Sequence, residues 1–446
     1  MTTKRIIILV LILAMITVAV FGFFYLKTPT TPTTGTSSGT NFFSNIFSFG
    51  KSNTTNPTTN SGTENNSNFI PSGQENSPVT LKKVSGMPVA GFGLFNKEVL
   101  KQTTPETTPA IETTTTNKTT TSKIIKINTP ATEFKGAVRY VDKATGNIYQ
   151  TFTDNLEEHK FSTMVIPQIY EASFTNNGGS VVMRYLKEDD TTIETLIGNF
   201  SKEVLGIDSL SDKMNVSFLP ENITDLSITP DSLNIFYLFN SNDSAIGISA
   251  GPQGDIKKQV FSSSFTEWLS QYVNTKMITL TTKPSALVPG FMYSIDPAKK
   301  GMNKILGNIN GLTTLTSPDG KLVLYSNNNL ALNIYNIDTN KVTSVGVRTL
   351  SEKCVWNKSS DKIYCAVPKF VNQGSYPDSW YQGEVSFADN IWQVDPINGN
   401  TIMLADLSSM RMGEDIDAIK LAVEDTGNNL FFVNKKNSYL WELNLK

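Results

Sequence analysis

The run Thr316-Ser317-Pro318-Asp319-Gly320-Lys321-Leu322-Val323 decides how this chain is read. Ser-Pro-Asp-Gly is turn chemistry. Proline presets φ, aspartate folds its carboxylate back onto the backbone, and glycine takes the left-handed conformation that closes the bend. An apolar strand follows at 322–325, so Thr316 and Val323, seven residues apart, flank a tight hairpin. The same step joins Phe174 to Val181, Ile228 to Ile235, Trp356 to Ile363 and Val423 to Leu430. The bends between them are rich in Asn, Asp, Ser, Gly or Pro.

The hairpin is followed by a third strand that also repeats. Residues 332–338 (LNIYNID) are echoed at 390–395 (NIWQVD), 290–296 (GFMYSID) and 439–443 (YLWEL). Apolar and polar positions alternate, as in a half-buried strand. Fourth strands are expected near 341–347, 401–407 and 302–308. Four short antiparallel strands recurring at intervals of roughly 40–65 residues describe an all-β propeller. A shifted copy at 268–277 and a split first copy, 89–95 with 136–141, bring the count to seven blades, with six as the alternative. The last blade ends at its third strand. Residues 81–85 are expected to supply its fourth strand and close the ring, which leaves no open sheet edge.

The repeat resembles the TolB-type, WD-like β-propeller repeat, whose mark is a strand, Ser-Pro-Asp-Gly, an apolar strand and an Ile-Tyr-x-x-Asp strand. The likeness covers most of residues 160–446, with the full motif at Ser317–Gly320 and a close copy at Thr229-Pro230-Asp231-Ser232. The resemblance implies a fold. Repeats of this kind serve scaffolds, periplasmic binders and non-catalytic domains of peptidases alike.

Before the propeller, residues 6–26 form an uncharged apolar run, long enough at 1.5 Å per residue to span about 30 Å of bilayer core. Lys4 and Arg5 precede it, which places residues 1–5 in the cytoplasm and the rest outside. The run is longer than a cleaved signal and ends in bulky residues, so an uncleaved membrane anchor is expected. Residues 27–78 are dominated by Thr, Asn, Ser, Gly and Pro and read as a disordered linker with a reach of roughly 40 Å. The propeller is expected over 79–446. It is interrupted by a Thr-rich loop insertion at about 97–132, a length that a loop tolerates at small entropic cost.

With 38 basic and 40 acidic side chains, the chain has no general attraction for nucleic acid. The two cysteines, Cys354 and Cys365, share the midpoint of the Trp356–Ile363 pair. They should face each other across a hairpin, within disulfide reach. One histidine, His159, stands between charges and rules out a two-histidine zinc site. The acidic groups Glu188-Asp189-Asp190 and Glu414, Asp415 and Asp417 read as solvated turns. No catalytic residue, metal site or cofactor is expected. The unusual stretch is the long connection at 368–383, where Tyr376, Trp380 and Tyr381 are either recognition anchors or a cap folded onto the ring.

These features point to a non-catalytic binding or scaffold protein at the outer face of the cell membrane, with an envelope protein or a glycan as partner. The competing reading is a surface hydrolase or lyase acting on carbohydrate or peptide. What lines the central funnel distinguishes them: converging Asp, Glu and Arg favour an enzyme, and a mixed or apolar lining favours binding.

Overall fold

A computed structural model describes residues 79–101, 131–163, 165–201, 203, 214–411 and 413–446. The expected anchor at 6–26, the linker at 27–78 and most of the Thr-rich insertion lie outside them. Among the described residues, no helix is long and apolar enough to cross a membrane.

The hairpin step fixes the register throughout. Thr316 pairs with Val323, Phe174 with Val181, Ile228 with Ile235, Trp356 with Ile363 and Val423 with Leu430. The bend chemistry is visible atom by atom. Ser317 Oγ donates to Asp319 Oδ1 (2.5 Å) and accepts from the Leu322 N–H (3.0 Å), while Gly320 sits at φ +75°. Thr229 and Asp231 repeat this arrangement with Ser232 at φ +57°. A hydroxyl, an aspartate and a residue tolerant of positive φ are therefore what the turn requires.

The described strands form seven four-stranded antiparallel sheets, and the fold is a seven-bladed β-propeller. Blades 1 to 6 occupy residues 89–162, 169–218, 223–263, 268–310, 313–348 and 354–406. Blade 7 consists of Ala418–Val423, Asn429–Asn434 and Leu440–Asn444, with Thr80–Lys83 as its fourth strand. Thr80 faces Asn444 and Lys83 faces Trp441, so the ring closes with strands from both ends of the described chain. The first strands of several neighbouring blades pack on one another, among them those of blades 1 and 2 and of blades 3 and 4. Apolar clusters fill the spaces between blades, such as Leu81, Tyr364, Ile391, Ile416, Leu430 and Trp441 between blades 6 and 7.

In blade 1 the hairpin strands are longer than the sequence suggests. Val89–Leu100 pairs with Thr132–Asp142 along its length. Gly91 is required there, because a Cβ would lie 1.9 Å from the Ala172 carbonyl oxygen of blade 2.

Deleting residues 79–83 exposes the edge of Leu440–Asn444 and removes buried Leu81. A drop of roughly 10 °C or more in the melting temperature is expected, measured by calorimetry. A melt unchanged within error would contradict closure by this strand.

Candidate functional site

First strands or their bends from all seven blades line one axial cavity of about 760 Å³. It opens on the face that carries the first-to-second-strand bends, and its walls are mixed. Leu94, Leu315, Val355 and Val423 supply apolar surface, while Asn96, Asn177, Asn274 and Ser232 supply amide and hydroxyl groups near the mouth. The charged groups here are engaged locally. Lys358 pairs with Asp425 at 2.8 Å, and Glu424 accepts from Thr153 (2.9 Å) and Asn429 (3.0 Å).

The opposite end of the channel is more charged, and its geometry comes from bulges. The register slips between Val89 and Gly91, Ile169 and Glu171, Ile223 and Asp225, and Ile419 and Ala422. These slips lie near the start of the innermost strands of blades 1, 2, 3 and 7. A bulge bends the strand and re-aims side chains. The slips leave Glu171, Asp225 and Lys420 on three of those strands. Glu171 pairs with Arg184 at 2.6 Å, and Arg184 also donates to the Ile223 carbonyl. Asp225 accepts from both N–H and Oγ of Ser270, each at 2.6 Å. Lys420 reaches across blade 1 to donate to the Ala90 carbonyl (3.1 Å) and stands 4.0 Å from Glu171.

Ser270 also lines a pocket of about 50 Å³ between blades 4 and 5, whose far wall is Glu352 and Tyr381. Glu352 takes a hydrogen bond from Tyr381, but its Oε1 is buried without a donor. Burial pushes the Glu352 carboxyl up to about 7, against the Tyr381 hydrogen bond and the charges of Lys353 and Lys435. Burial also lifts Asp225 to about 6, with the Ser270 hydrogen bonds opposing. Lys420 is held below the ordinary lysine value, chiefly by burial, although Glu171 pulls the other way.

The long connection of blade 6 lies across this end as a strap. Asp378, at the start of the helical turn Asp378–Tyr381, accepts from the Ala286 N–H of blade 4 at 2.6 Å. Tyr376 and Trp380 are buried and stack on Phe387, with ring centres 5.8 and 6.3 Å away. Trp380 Nε1 donates to Asp417 at 2.9 Å. Beneath these rings Lys353, fully buried, binds Asp417 and lies 2.9 Å from Asp389, while its ammonium also lies over Trp380 and Phe387. Of the three aromatic residues singled out in the sequence, Tyr381 keeps exposed surface, at 37%.

Asp417 is a correction. The sequence reads it as a solvated turn residue, yet it is completely buried, because blade 7 begins there under the strap. Asp189 does cap an exposed turn, accepting from Thr191 and Thr192 N–H. His159 is exposed at the start of the strand His159–Ser162. Residues 247–251 spell Gly-x-Ser-x-Gly. Ser249 lies within the strand Ser244–Ala250, bonded to Tyr272 Oη at 3.0 Å, rather than on a strand-to-helix elbow. Cys354 and Cys365 face each other with their sulfurs bonded and Cα atoms 4.0 Å apart. Among the described residues, no three His, Cys, Asp or Glu side chains gather to hold a metal ion.

No family model matches the chain, and no curated protein matches it. Several solved structures are similar. An oligogalacturonate lyase in complex with manganese is 10% identical, with a TM-score of 0.48, over 70% of this chain and 86% of its own. An oligogalacturonate lyase from Vibrio parahaemolyticus is 8% identical with the same score and coverage. The tricorn protease is 13% identical, with a TM-score of 0.33, over 66% of this chain and 27% of its own. At such identities the likeness extends to the fold alone. It does correct one expectation, that the chain is no enzyme. Solved structures similar to it include lyases, so neither the architecture nor a missing motif excludes catalysis.

The strap depends on its buried contacts. Trp380→Ala should cost about 3–5 kcal/mol in urea unfolding. Lys353→Met, which strands two buried carboxylates, should cost a similar amount, about 3–5 kcal/mol. A Trp380→Ala midpoint within error of the parent would show that the strap is held by other contacts.

Proposed function

We propose that the chain is a surface enzyme, a hydrolase or lyase, that takes a glycan into its axial channel. The observation that carries this reading is the ring of ionisable groups at the strap end. Glu352 lines one small pocket with Ser270, to which Asp225 is hydrogen-bonded, and burial pushes the two carboxyls up to about 7 and about 6. Cleavage of a glycosidic bond requires one proton removed, from water or from the carbon beside the bond, and one delivered to the leaving oxygen. A carboxyl poised near the working pH performs either transfer most effectively. The amide and hydroxyl groups at the wide mouth supply uncharged, directional hydrogen bonds suited to a hydroxyl-rich chain, which favours a glycan over a peptide. Residues 6–26 fit an anchor that holds the propeller at the outer face of a membrane, within reach of such a substrate.

Glu352→Gln keeps the shape of the side chain but cannot exchange a proton. Against a panel of envelope glycans, release of new chain ends is expected to fall about 10²–10⁴-fold in this variant, with the pH limb near 7 lost. A panel that is bound but returned uncut would refute the enzymatic reading, as would turnover unaffected by the substitution.

The same groups give a stability signature. The folded state raises Glu352 and Asp225, so between about pH 4.5 and 7 it retains protons that the unfolded chain has released. Their contribution to stability therefore falls as pH rises through that window. Glu442, also raised to about 7, adds to the trend. Glu352→Gln should flatten the decline in melting temperature across this range; a slope equal to the parent's would mean that Glu352 does not titrate there.

A further inference from the structure

Lys420 lies within the strand Ala418–Val423, yet its φ is +53°. A left-handed lysine inside a strand is a costly conformation and persists only where the surroundings impose it. It falls at the bulge between Ile419 and Ala422. The distortion projects the side chain across the innermost strand of blade 1, at the level where that strand carries Ala90 and Gly91. The ammonium thereby reaches beyond its own blade to the innermost strand of blade 1.

What it finds there leaves it underused. An ammonium has three donors. Lys420 has one acceptor at hydrogen-bond distance, the Ala90 carbonyl, and its carboxylate neighbour Glu171 is 4.0 Å away and closer to Arg184. The charged groups that act on it are Glu171 and Arg184 of blade 2 and Lys143 of blade 1, with Asp225 of blade 3 beside Glu171 and Arg184. Arg184 adds a further buried donor, Nε, with no acceptor. Some 40% of the Lys420 side chain remains accessible, yet burial still lowers its proton affinity, as expected of a cation walled by protein rather than open to bulk solvent.

We propose that Lys420 anchors a carboxylate-binding subsite at the strap end of the channel, so that the glycan taken up there carries acidic sugars. The inference rests on the channel being the substrate site. An incoming carboxylate fills the ammonium's open donors with charge-assisted hydrogen bonds. Glu171 supports the subsite by holding Arg184 in place through its 2.6 Å ion pair.

The test is equilibrium binding of D-glucuronate and D-glucose to the full chain, at matched ionic strength, by calorimetry. Glucuronate should bind at least about tenfold tighter than glucose. Lys420→Met should lose about tenfold or more of that affinity, while Lys420→Arg retains most of it. Binding should weaken as pH rises through the lowered lysine value, because the neutral amine no longer attracts the anion. Should Lys420→Met fail to fold, NMR titration of the unaltered protein decides: bound glucuronate must raise the Lys420 midpoint. Equal binding of the two sugars, undiminished binding by a folded Lys420→Met, or an unmoved midpoint would each overturn the proposal. Cleavage of a neutral glycan by a protein that ignores glucuronate would overturn this subsite alone and leave the enzymatic reading intact.

Discussion

The ammonium of Lys353 is completely buried and binds Asp389 of blade 6 and Asp417 of blade 7, and the chain around it is organised to satisfy all three charges. A buried ion with no counter-charge costs several kcal/mol, so none of these groups can be left unmet. Asp417 spends its second oxygen on Trp380, Ser386 and Phe387 of the strap. Asp389 accepts the Ala418 N–H at the start of the next innermost strand. One cluster therefore ties two neighbouring blades and the strap into a single unit. Because Glu352 immediately precedes Lys353, the cluster also fixes where that carboxyl stands in the channel.

The fold was largely legible because its evidence is local. A turn such as Ser317–Gly320 and the strand after it lie within eight residues, and the seven-residue step is a register that can be read by counting. The cysteine pair followed from the same arithmetic. Ring closure needed one long-range step, and the shortage of a strand in the last blade supplied it. The candidate site lacked such signals. Glu171, Asp225, Glu352 and Lys420 come from four blades, and neighbouring blades are separated by dozens of residues. Three of the four sit by bulges, which shift the strand register in a way that alternation does not reveal. Asp417 misled for a related reason: with Glu414 and Asp415 it reads as a polar turn, and only the strap, a separate element, buries it.

The two ends of the channel divide the work that a site requires. The wide mouth has mixed walls and uncharged hydrogen-bonding groups, which suit reversible contact with a polar ligand. The narrow end concentrates charge beside the strap, where burial makes each electrostatic contact worth more. Neither end resembles a familiar catalytic motif. That matches their origin: a propeller gathers one or two residues from each blade, so its chemistry leaves no contiguous signature in the chain.

The pairing of Thr80–Lys83 with Leu440–Asn444 also sets the order of events during synthesis. Blades 1 to 6 are each built from consecutive strands and can form without the rest of the ring. The seam cannot form until the residues of its partner strand have been made. Until then the earliest strand of the ring remains unpaired, and blade 1 and blade 6 present open flanks to whatever is nearby. Pairing of the seam covers both flanks in one step.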